Sequence, residues 1–262
     1  MSTNIITSPQ NNLVKKFKSL QASKGRKRFG EFIVEGNKFV LDIPESWEVL
    51  NTIFSESYAE KNSEAVYHAA FPIILKDSIF NALSDAVTPA GIMAVVKMKE
   101  YVLSDMLSCP KKFIILVCNL QDPGNMGTII RTANATGASG VIVSPDSADI
   151  WSSKVVRGTA GSIFNLPIVV KDIEFAAAEL KARGIELIAT DVKASISPYQ
   201  ADFTKPLALM IGNESKGLSA EMLALSDVKV RLPMSAQVES LNASVASGVL
   251  MYEVLRQRNV QF

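Results

Sequence analysis

The chain has little of what metal centres, disulfide scaffolds and histidine-based catalysis need. Its 262 residues include two cysteines and one histidine, His68. Cys109 and Cys118 lack metal-ligand spacing, and Cys118 lies in an apolar run, so we expect both to be reduced thiols. His68 is expected to be an ordinary surface or boundary residue. A histidine-based catalytic triad and a zinc site are therefore disfavoured, and no metal is expected.

Long apolar runs and a secretory signal are also missing. No apolar run reaches the roughly 18–20 residues of a membrane span. The first residues, MSTNIITSPQ, lack the charged-then-apolar build of a signal peptide. We therefore expect a cytoplasmic protein that does not associate with membranes. The length suits one large or two modest domains, and no internal repeat is visible.

Acidic residues are absent from the first 30 positions, which hold seven of the 27 basic residues, so the remainder is net negative. A basic segment on an acidic chain indicates a polyanion partner, although a solvated, partly disordered tail has the same composition. After Ser8-Pro9, apolar residues recur at helical spacing and predict a capped helix, which argues against a tail. These residues are Leu13, Val14, Phe17 and Leu20. Residues 24–28 are predicted to form a basic turn before a short strand.

Alternating strands and helices predict an α/β protein. In the N-terminal part, strands are expected at 31–34, 48–54, 72–75 and 91–98, and helices near 36–43, 57–66 and 77–84. Residues 99–111, which contain Pro110, are predicted to be a linker. Residues 113–118 form a continuous apolar run, typical of a central parallel strand covered on both faces. Further strands are expected at 140–143, 167–170, 185–189, 207–211 and 228–232, with helices near 125–137, 152–158, 172–183, 219–225 and 241–257.

Three polar loops directly follow predicted strands, at 119–125, 212–218 and 233–240, and the first two contain glycine. In an open parallel sheet such loops meet at the carboxyl edge, where ligands bind. Glycines in these loops let the backbone approach a ligand closely. The spacing of strands and loops therefore predicts one composite site.

The residues of these loops resemble the three motifs of the SpoU/TrmH-type RNA ribose methyltransferases, which belong to the SPOUT class. The motifs match LQDPGNMGTIIRT at 120–132, GNESKG at 212–217, and LPM at 232–234 followed by VESLNASVASGVLMYE at 238–253. Three motifs in order over roughly half the chain are specific. The resemblance implies a mostly parallel sheet with a trefoil knot, S-adenosyl-L-methionine as methyl donor, a ribose 2′-hydroxyl as acceptor, and a homodimer formed through the C-terminal region.

The N-terminal part is similar to the L30e-like substrate-binding domain found in ribosomal-RNA members of this family. The resemblance rests on the run FIVEG at 32–36 and on Asn12, Lys15, Lys24 and Arg26. Glu35-Gly36 fits an ordinary strand-to-helix turn equally well. The domains expected are 1–98 for RNA substrate binding, 99–111 as linker and 112–262 for methyl transfer. The RNA contacts expected are Lys15, Lys24, Arg26, Lys27 and Arg28, extended by Lys154 and Arg157 in a segment that also resembles the family.

Site residues follow from the resemblance, position by position. The donor would be held by Gly212, Asn213, Glu214, Gly217, Leu232, Met234 and Leu241, although plain core packing is the alternative for each apolar member. The catalytic candidates are Arg131, Asn125, Glu214, Ser240 and Asn242. Glu214 would orient Arg131 or bind donor hydroxyls. Helix capping is the alternative role for Asn125 and for Ser240.

Arg131 falls on the opposite face of the predicted 125–137 helix from the apolar stripe. In the family that the motifs resemble, this arginine is held to be the base that takes the 2′-hydroxyl proton. A guanidinium, however, is effectively always protonated. A charged Arg131 that clamps a phosphate and stabilises the developing oxyanion needs no change of pKa. Two positions depart from the motifs: Ser215 and Ala236 stand where glycine is usual. Ala236 would add strain if its backbone needed a positive φ.

Ribosomal RNA, most specifically 23S, is favoured over transfer RNA because of the appended N-terminal domain. A tRNA 2′-O-methyltransferase is one alternative. Another is an RNA-binding or assembly factor that keeps the fold without the chemistry. A nucleotide-binding oxidoreductase is disfavoured because no G-x-G-x-x-G follows a predicted strand.

Overall fold

A computed structural model describes residues 5–108, 112–238 and 240–258. Cys109, Pro110 and Glu239, on which parts of the predictions fall, lie outside the described residues. The chain divides into two compact units. The first unit comprises Met1–Lys99 and Asp149–Phe164, and the second comprises Glu100–Ala148 and Asn165–Phe262.

Helices and strands alternate along the chain as the sequence predicts. The helices are α1 (Asn12–Ser19), α2 (Ser23–Phe29), α3 (Asn37–Leu41), α4 (Glu56–Lys61), α5 (Ser63–His68), α6 (Asp77–Leu83), α7 (Pro123–Ala135), α8 (Ser153–Gly158), α9 (Ile173–Ala182), α10 (Ala220–Leu225) and α11 (Ala243–Gln257), with short 3₁₀ turns at Leu103–Met106 and Ser162–Phe164. The strands are β1 (Glu31–Glu35), β2 (Val49–Ser55), β3 (Pro72–Leu75), β4 (Ile92–Lys97), β5 (Phe113–Val117), β6 (Gly140–Val143), β7 (Ile168–Val170), β8 (Glu186–Thr190), β9 (Leu207–Ile211) and β10 (Val228–Val230).

The first unit contains a mixed four-stranded sheet in the order β1-β4-β2-β3. Strand β4 runs antiparallel to β1 and β2, whereas β2 and β3 are parallel. One side chain of α1, Phe17, packs with Phe80 of α6 and Val95 of β4 in a buried cluster. The apolar stripe of α1 therefore covers a core, as its helical spacing predicts.

The second unit contains a six-stranded sheet in the order β10-β8-β9-β5-β6-β7, and every neighbouring pair is parallel. Strand β5 is buried along its whole length, because it lies between β9 and β6 and is covered on both faces. The predicted α/β class, with a parallel sheet preceded by a small α/β domain, is confirmed. The trefoil knot stays a prediction.

Several local predictions are wrong in detail. Residues 24–28 form part of helix α2 rather than a turn, and Gly30 ends that helix in the left-handed conformation at φ 66°. The predicted helix 57–66 is two helices separated at Asn62. Helix α1 begins at Asn12, with Asn11 as its cap. Hydrophobic spacing carries little information at helix ends and in mostly polar segments such as 23–29.

Part of the predicted linker packs into the second unit. Leu103 and Met106 are buried in the core of the second unit. Met106 packs so closely on Gly140 that a Cβ at position 140 would lie 2.5 Å from its Cγ. This segment therefore contributes apolar packing to the parallel sheet.

Residues 149–164, inside the stretch predicted as the methyltransferase domain, pack with the first unit. Trp151 and Phe164 lie against Phe32 and Trp47 with ring centroids 4.7–6.4 Å apart. The Trp47 indole also donates a hydrogen bond to the Phe164 carbonyl at 3.0 Å. An aromatic cluster thus anchors a late segment of the chain to the N-terminal sheet.

Candidate active site

The first two predicted loops meet because β5 and β9 are hydrogen-bonded neighbours. Their carboxyl ends lie at the same edge of the sheet. There the Asn213 side-chain amide donates to the Asn119 carbonyl at 2.8 Å. Asn213 and Gly217 also exchange two backbone hydrogen bonds of 3.0 and 2.9 Å, which close the second loop into a tight turn.

Two glycines allow this turn. A Cβ on Gly212 would lie 2.3 Å from the carbonyl carbon of Gly217, so a side chain there would force the backbone apart. Gly217 has φ +68°, which favours glycine. Gly212 is thus required by close backbone packing, and Gly217 by its backbone conformation.

Glu214 joins the second loop to the first. Its carboxylate accepts hydrogen bonds from the backbone N–H groups of Gln121 and Asp122, at 3.2 and 2.9 Å, and from the Asn125 amide at 3.3 Å. Burial alone would raise the pKa of Glu214, but these hydrogen bonds outweigh it and lower the pKa below its usual value. The negative charge faces the N-terminus of α7, where the helix dipole also favours it.

The third loop is connected through Asn242. Its amide donates to the Asn125 side-chain oxygen at 3.0 Å, while its own oxygen accepts from the Ser244 and Val245 N–H groups and caps α11. The predicted capping role of Ser240 is therefore wrong, because α11 begins at Ala243 and its cap is Asn242. Asn125 is not a cap either, since Asp122 caps α7. The chain Glu214–Asn125–Asn242 thus ties together all three loops.

The remaining donor-binding candidates are apolar and incompletely covered. Leu232 and Met234 are half-buried, and Leu241, next to Asn242, keeps 40% of its surface exposed. Each therefore keeps apolar surface that a ligand could cover. Ala236 is absent from the described non-glycine residues with positive φ, so alanine adds no strain there.

These residues suit the donor that the motifs imply. Uncovered apolar side chains can pack against a purine, and tight glycine turns present backbone groups to a ribose or carboxylate. Gly212, Asn213, Glu214 and Gly217 form such a turn, which a Cβ at 212 would spoil.

Arg131 is exposed on α7, on the face opposite the buried Ile129, Ile130 and Ala133, as its helical position predicts. Among the described residues its guanidinium has no ion-pair partner. The Glu214 carboxylate does not pair with Arg131. It accepts instead from the Gln121 and Asp122 N–H groups and the Asn125 amide. The predicted Arg131–Glu214 contact is therefore not present in the single chain.

Sequence reasoning missed a fourth element of the site, the turn after β6. Ser144 Oγ accepts from the Asn119 N–H at 2.8 Å, and Ser147 Oγ accepts from the Leu120 N–H at 3.1 Å. Asn119 itself adopts the left-handed conformation at φ 54°. Such residues commonly mark functional turns. The signal available was the sequence Ser-Pro-Asp-Ser directly after a strand.

The basic residues predicted to bind RNA differ in exposure and in ion pairing. Lys15, Lys24, Lys27, Arg28 and Lys154 are exposed. Arg26 is 5% exposed and forms an ion pair with Asp149 at 2.7 Å, so its predicted RNA contact is wrong. Arg157 is half-buried, with its guanidinium 3.7 Å from the buried Glu35 carboxylate.

The sequence predictions also concern cysteine, histidine and apolar helices. Cys118 is buried, and burial raises its thiol pKa to about 12. His68 is exposed. In the described part of the chain, no histidine, cysteine and carboxylate side chains gather as a metal site would require. None of the helices found there has the length and apolarity to span a membrane.

Family models match both parts of the chain. The model of the SpoU rRNA Methylase family matches residues 112–252, and that of the MRM3-like substrate binding domain matches residues 11–94. The 23S rRNA (guanosine(2553)-2′-O)-methyltransferase RlmP of Bacillus subtilis is 32% identical, over 95% of this chain and 98% of its own length. The 23S rRNA (uridine(2479)-2′-O)-methyltransferase of Streptomyces viridochromogenes is 33% identical, over 93% of this chain and 90% of its own.

Solved structures agree with these matches. The SpoU methyltransferase AviRb from Streptomyces viridochromogenes, in complex with AdoMet, has a TM-score of 0.87 and 31% identity and covers 97% of this chain and 100% of that chain. An AdoMet-bound rRNA methyltransferase from Sinorhizobium meliloti also has a TM-score of 0.87, with 28% identity and 97% coverage of both chains.

The parallel sheet and its three joined loops define the chain as a methyltransferase. It belongs to the SpoU rRNA methylase family and carries an N-terminal substrate-binding domain. The predicted family and enzyme class are confirmed.

Proposed function

We propose that the protein transfers a methyl group from S-adenosyl-L-methionine to the 2′-hydroxyl of a ribose in 23S ribosomal RNA. The observation that carries the proposal is the Glu214–Asn125–Asn242 chain, which assembles three motif loops at one edge of a parallel sheet. Two full-length relatives named for 23S rRNA 2′-O-methylation support this substrate. The N-terminal substrate-binding domain supports it independently.

The methyl donor would lie against the second and third loops. The Gly212–Gly217 turn would approach it with backbone groups, and Leu232, Met234 and Leu241 would cover its purine. The donor supplies an activated methyl group when bound. The loops supply positioning, which removes several kcal/mol of entropic barrier when donor and acceptor are held in line.

Arg131 would act as a fixed positive charge. Because it is exposed and has no ion-pair partner among the described residues, its guanidinium is available to a phosphate of the RNA. From there it would stabilise the oxyanion that develops as the 2′-hydroxyl loses its proton.

A homodimer would complete the molecule. The outer face of α11 exposes Val245, Val249 and Tyr252, and Tyr199 is exposed beside them. An apolar face of this kind suits burial against a second copy. Light scattering during gel filtration tests the dimer: Val249→Asp should give monomers, and a wild-type monomer at micromolar concentration would contradict it. A cytoplasmic location is part of the proposal, and cell fractionation tests it.

Mapping 2′-O-methylation in total RNA from cells with and without the gene tests the reaction. Loss of methylation at one 23S nucleotide, restored by the wild-type gene but not by Arg131→Ala, is the expected result. Loss in a transfer RNA instead would redirect the proposal to that substrate. Unchanged methylation, together with no heat of AdoMet binding by the purified protein, would favour a non-catalytic RNA-binding factor.

A further inference from the structure

We propose that Phe29, at the end of helix α2, is a stacking platform for an unpaired base of the RNA, with the neighbouring cations binding the adjoining phosphates. The inference rests on the proposed function and deepens it, because it assigns a recognition site for single-stranded RNA within the first unit. Phe29 belongs to none of the motifs that define the site loops.

The ring of Phe29 is open and lies among cations. It keeps 38% of its surface exposed. The Arg28 guanidinium lies 5.2 Å from the ring centroid and the Lys16 ammonium 5.3 Å from it. Unpaired RNA bases are commonly bound by stacking on aromatic rings and on guanidinium planes. Phe29 and Arg28 supply both kinds of surface, with the guanidinium lying over the ring.

The helix that ends at Phe29 and the helix before it carry exposed cations, which favour a polyanion. Lys15, Lys24, Lys27 and Arg28 are exposed, and no carboxylate in the described residues pairs with them. Lys16 is the exception, since it forms an ion pair with Glu31 at 2.8 Å. An exposed aromatic ring on a helix that carries unpaired cations fits the alternating phosphates and bases of an RNA strand.

The platform is held rigidly from below. The buried Arg26 guanidinium donates to the Leu20 and Gln21 carbonyls at 2.8 and 2.7 Å, at the end of α1. Gly25 lets α2 pack directly on α1, because a Cβ there would lie 1.9 Å from the Ser19 carbonyl oxygen. The backbone that carries Phe29 is therefore fixed to the end of α1 before any base stacks on the ring.

A second exposed phenylalanine provides a matched comparison. Phe175 of α9 is 61% exposed and has the Lys171 ammonium 4.4 Å from its ring centroid. Lys171 is paired with Glu179 at 3.0 Å, and Glu174 adjoins the ring in sequence. The lysine over each ring is thus paired with a carboxylate, but of the two rings only Phe29 also has an arginine over it in the described residues.

The test is fluorescence anisotropy with the full-length protein and two labelled RNAs: a hairpin with an unpaired loop and a blunt duplex of equal length. Phe29→Leu should weaken hairpin binding by about 5- to 100-fold, the range expected for one lost base stack. Phe29→Tyr should bind as the wild type does. Duplex binding by Phe29→Leu and hairpin binding by Phe175→Leu should both be unchanged.

A charge variant separates the cations from the ring. The salt dependence is the slope of the logarithm of affinity against the logarithm of salt concentration. Arg28→Gln should reduce this slope by about the amount of one phosphate contact, whereas Phe29→Leu should leave it unchanged. Lys61→Gln, on the exposed surface of α4, serves as the charge control.

Wild-type hairpin affinity in Phe29→Leu would overturn the proposal, as would equal losses for hairpin and duplex in a variant with unaltered unfolding. The outcome is independent of catalysis. If the wild type bound no AdoMet, the proposed function would fail while the comparison of the two RNAs would still report on the platform.

Discussion

The side-chain amide of Asn242 donates a 3.0 Å hydrogen bond to the side-chain oxygen of Asn125, although 117 positions separate them. The oxygen of the same Asn242 side chain caps helix α11. Asn125 in turn donates to Glu214. One asparagine therefore both begins the last helix and attaches it to the first motif, so helix stability and site geometry depend on the same residue.

Changing Asn242 to aspartate should separate these two roles. The introduced carboxylate would keep an oxygen to cap α11, so the free energy of unfolding should change little. It would lose the donor to Asn125, and AdoMet affinity measured by titration calorimetry should fall about tenfold. Asn242→Ala should lose both, with unfolding easier by about 1 kcal/mol.

The matched control is Asp172→Ala, which removes the cap of α9 away from the site loops. It should cost similar stability without changing AdoMet affinity. If Asn242→Asp bound AdoMet as tightly as the wild type, the Asn125 contact would have no part in the site.

The Glu214 carboxylate should make stability depend on pH. Because its pKa is lowered in the folded protein, its contribution is fully present above the unfolded pKa and is lost as pH falls through the folded pKa. Unfolding free energies measured from about pH 7 down to about pH 3 should therefore fall less in Glu214→Gln than in the wild type. Glu45→Gln, at an exposed glutamate, should follow the wild-type curve, and parallel curves for Glu214→Gln would refute the linkage.

Arg131 variants distinguish a clamp from a base. Arg131→Ala should lower the methylation rate by about 10²- to 10³-fold, the usual cost of losing an oxyanion-stabilising donor. Arg131→Lys keeps the charge and should retain measurable turnover, while AdoMet affinity stays unchanged in both variants. Arg183→Ala, on the exposed end of α9, is the control. A lysine variant as inactive as the alanine variant would indicate chemistry specific to a guanidinium.

Breaking the Arg26–Asp149 pair should destabilise the first unit without removing an RNA contact. Burial alone would raise the Asp149 pKa, but hydrogen bonds from Arg26, the Trp151 N–H and Ser23 outweigh it and lower that pKa. Arg26→Met should lower the free energy of unfolding by about 3 kcal/mol, since it leaves a partly buried carboxylate unpaired. The double variant with Asp149→Asn should lose less than the sum of the two single changes.

The salt dependence of RNA binding provides the second measurement for Arg26. It should be unchanged in Arg26→Met below its unfolding transition and reduced in Arg28→Gln. A reduced salt dependence in Arg26→Met would indicate that Arg26 does contact an RNA phosphate, despite its burial.

Much of the site could be predicted because its residues lie directly after apolar strands. Runs such as Phe113–Val117 and Leu207–Ile211 identify buried parallel strands, and the polar glycine loops after them identify the ligand-binding edge. The exposed position of Arg131 followed from helical spacing alone. Helix caps were less predictable, as Ser240 and Asn242 show, because several neighbouring residues could cap.

The amino-acid sequence by itself determined the strands, the loops that follow them, the family and the cationic N-terminal segment, since each is a local pattern of residue types. Only the tertiary structure decided which partner each group meets. It buries Arg26 against Asp149, packs residues 149–164 on the first unit, and directs the Glu214 carboxylate to the start of α7 rather than to Arg131. The physical reason is that periodicity tells which face of an element is apolar or charged, whereas the group that covers or neutralises that face comes from a distant part of the chain.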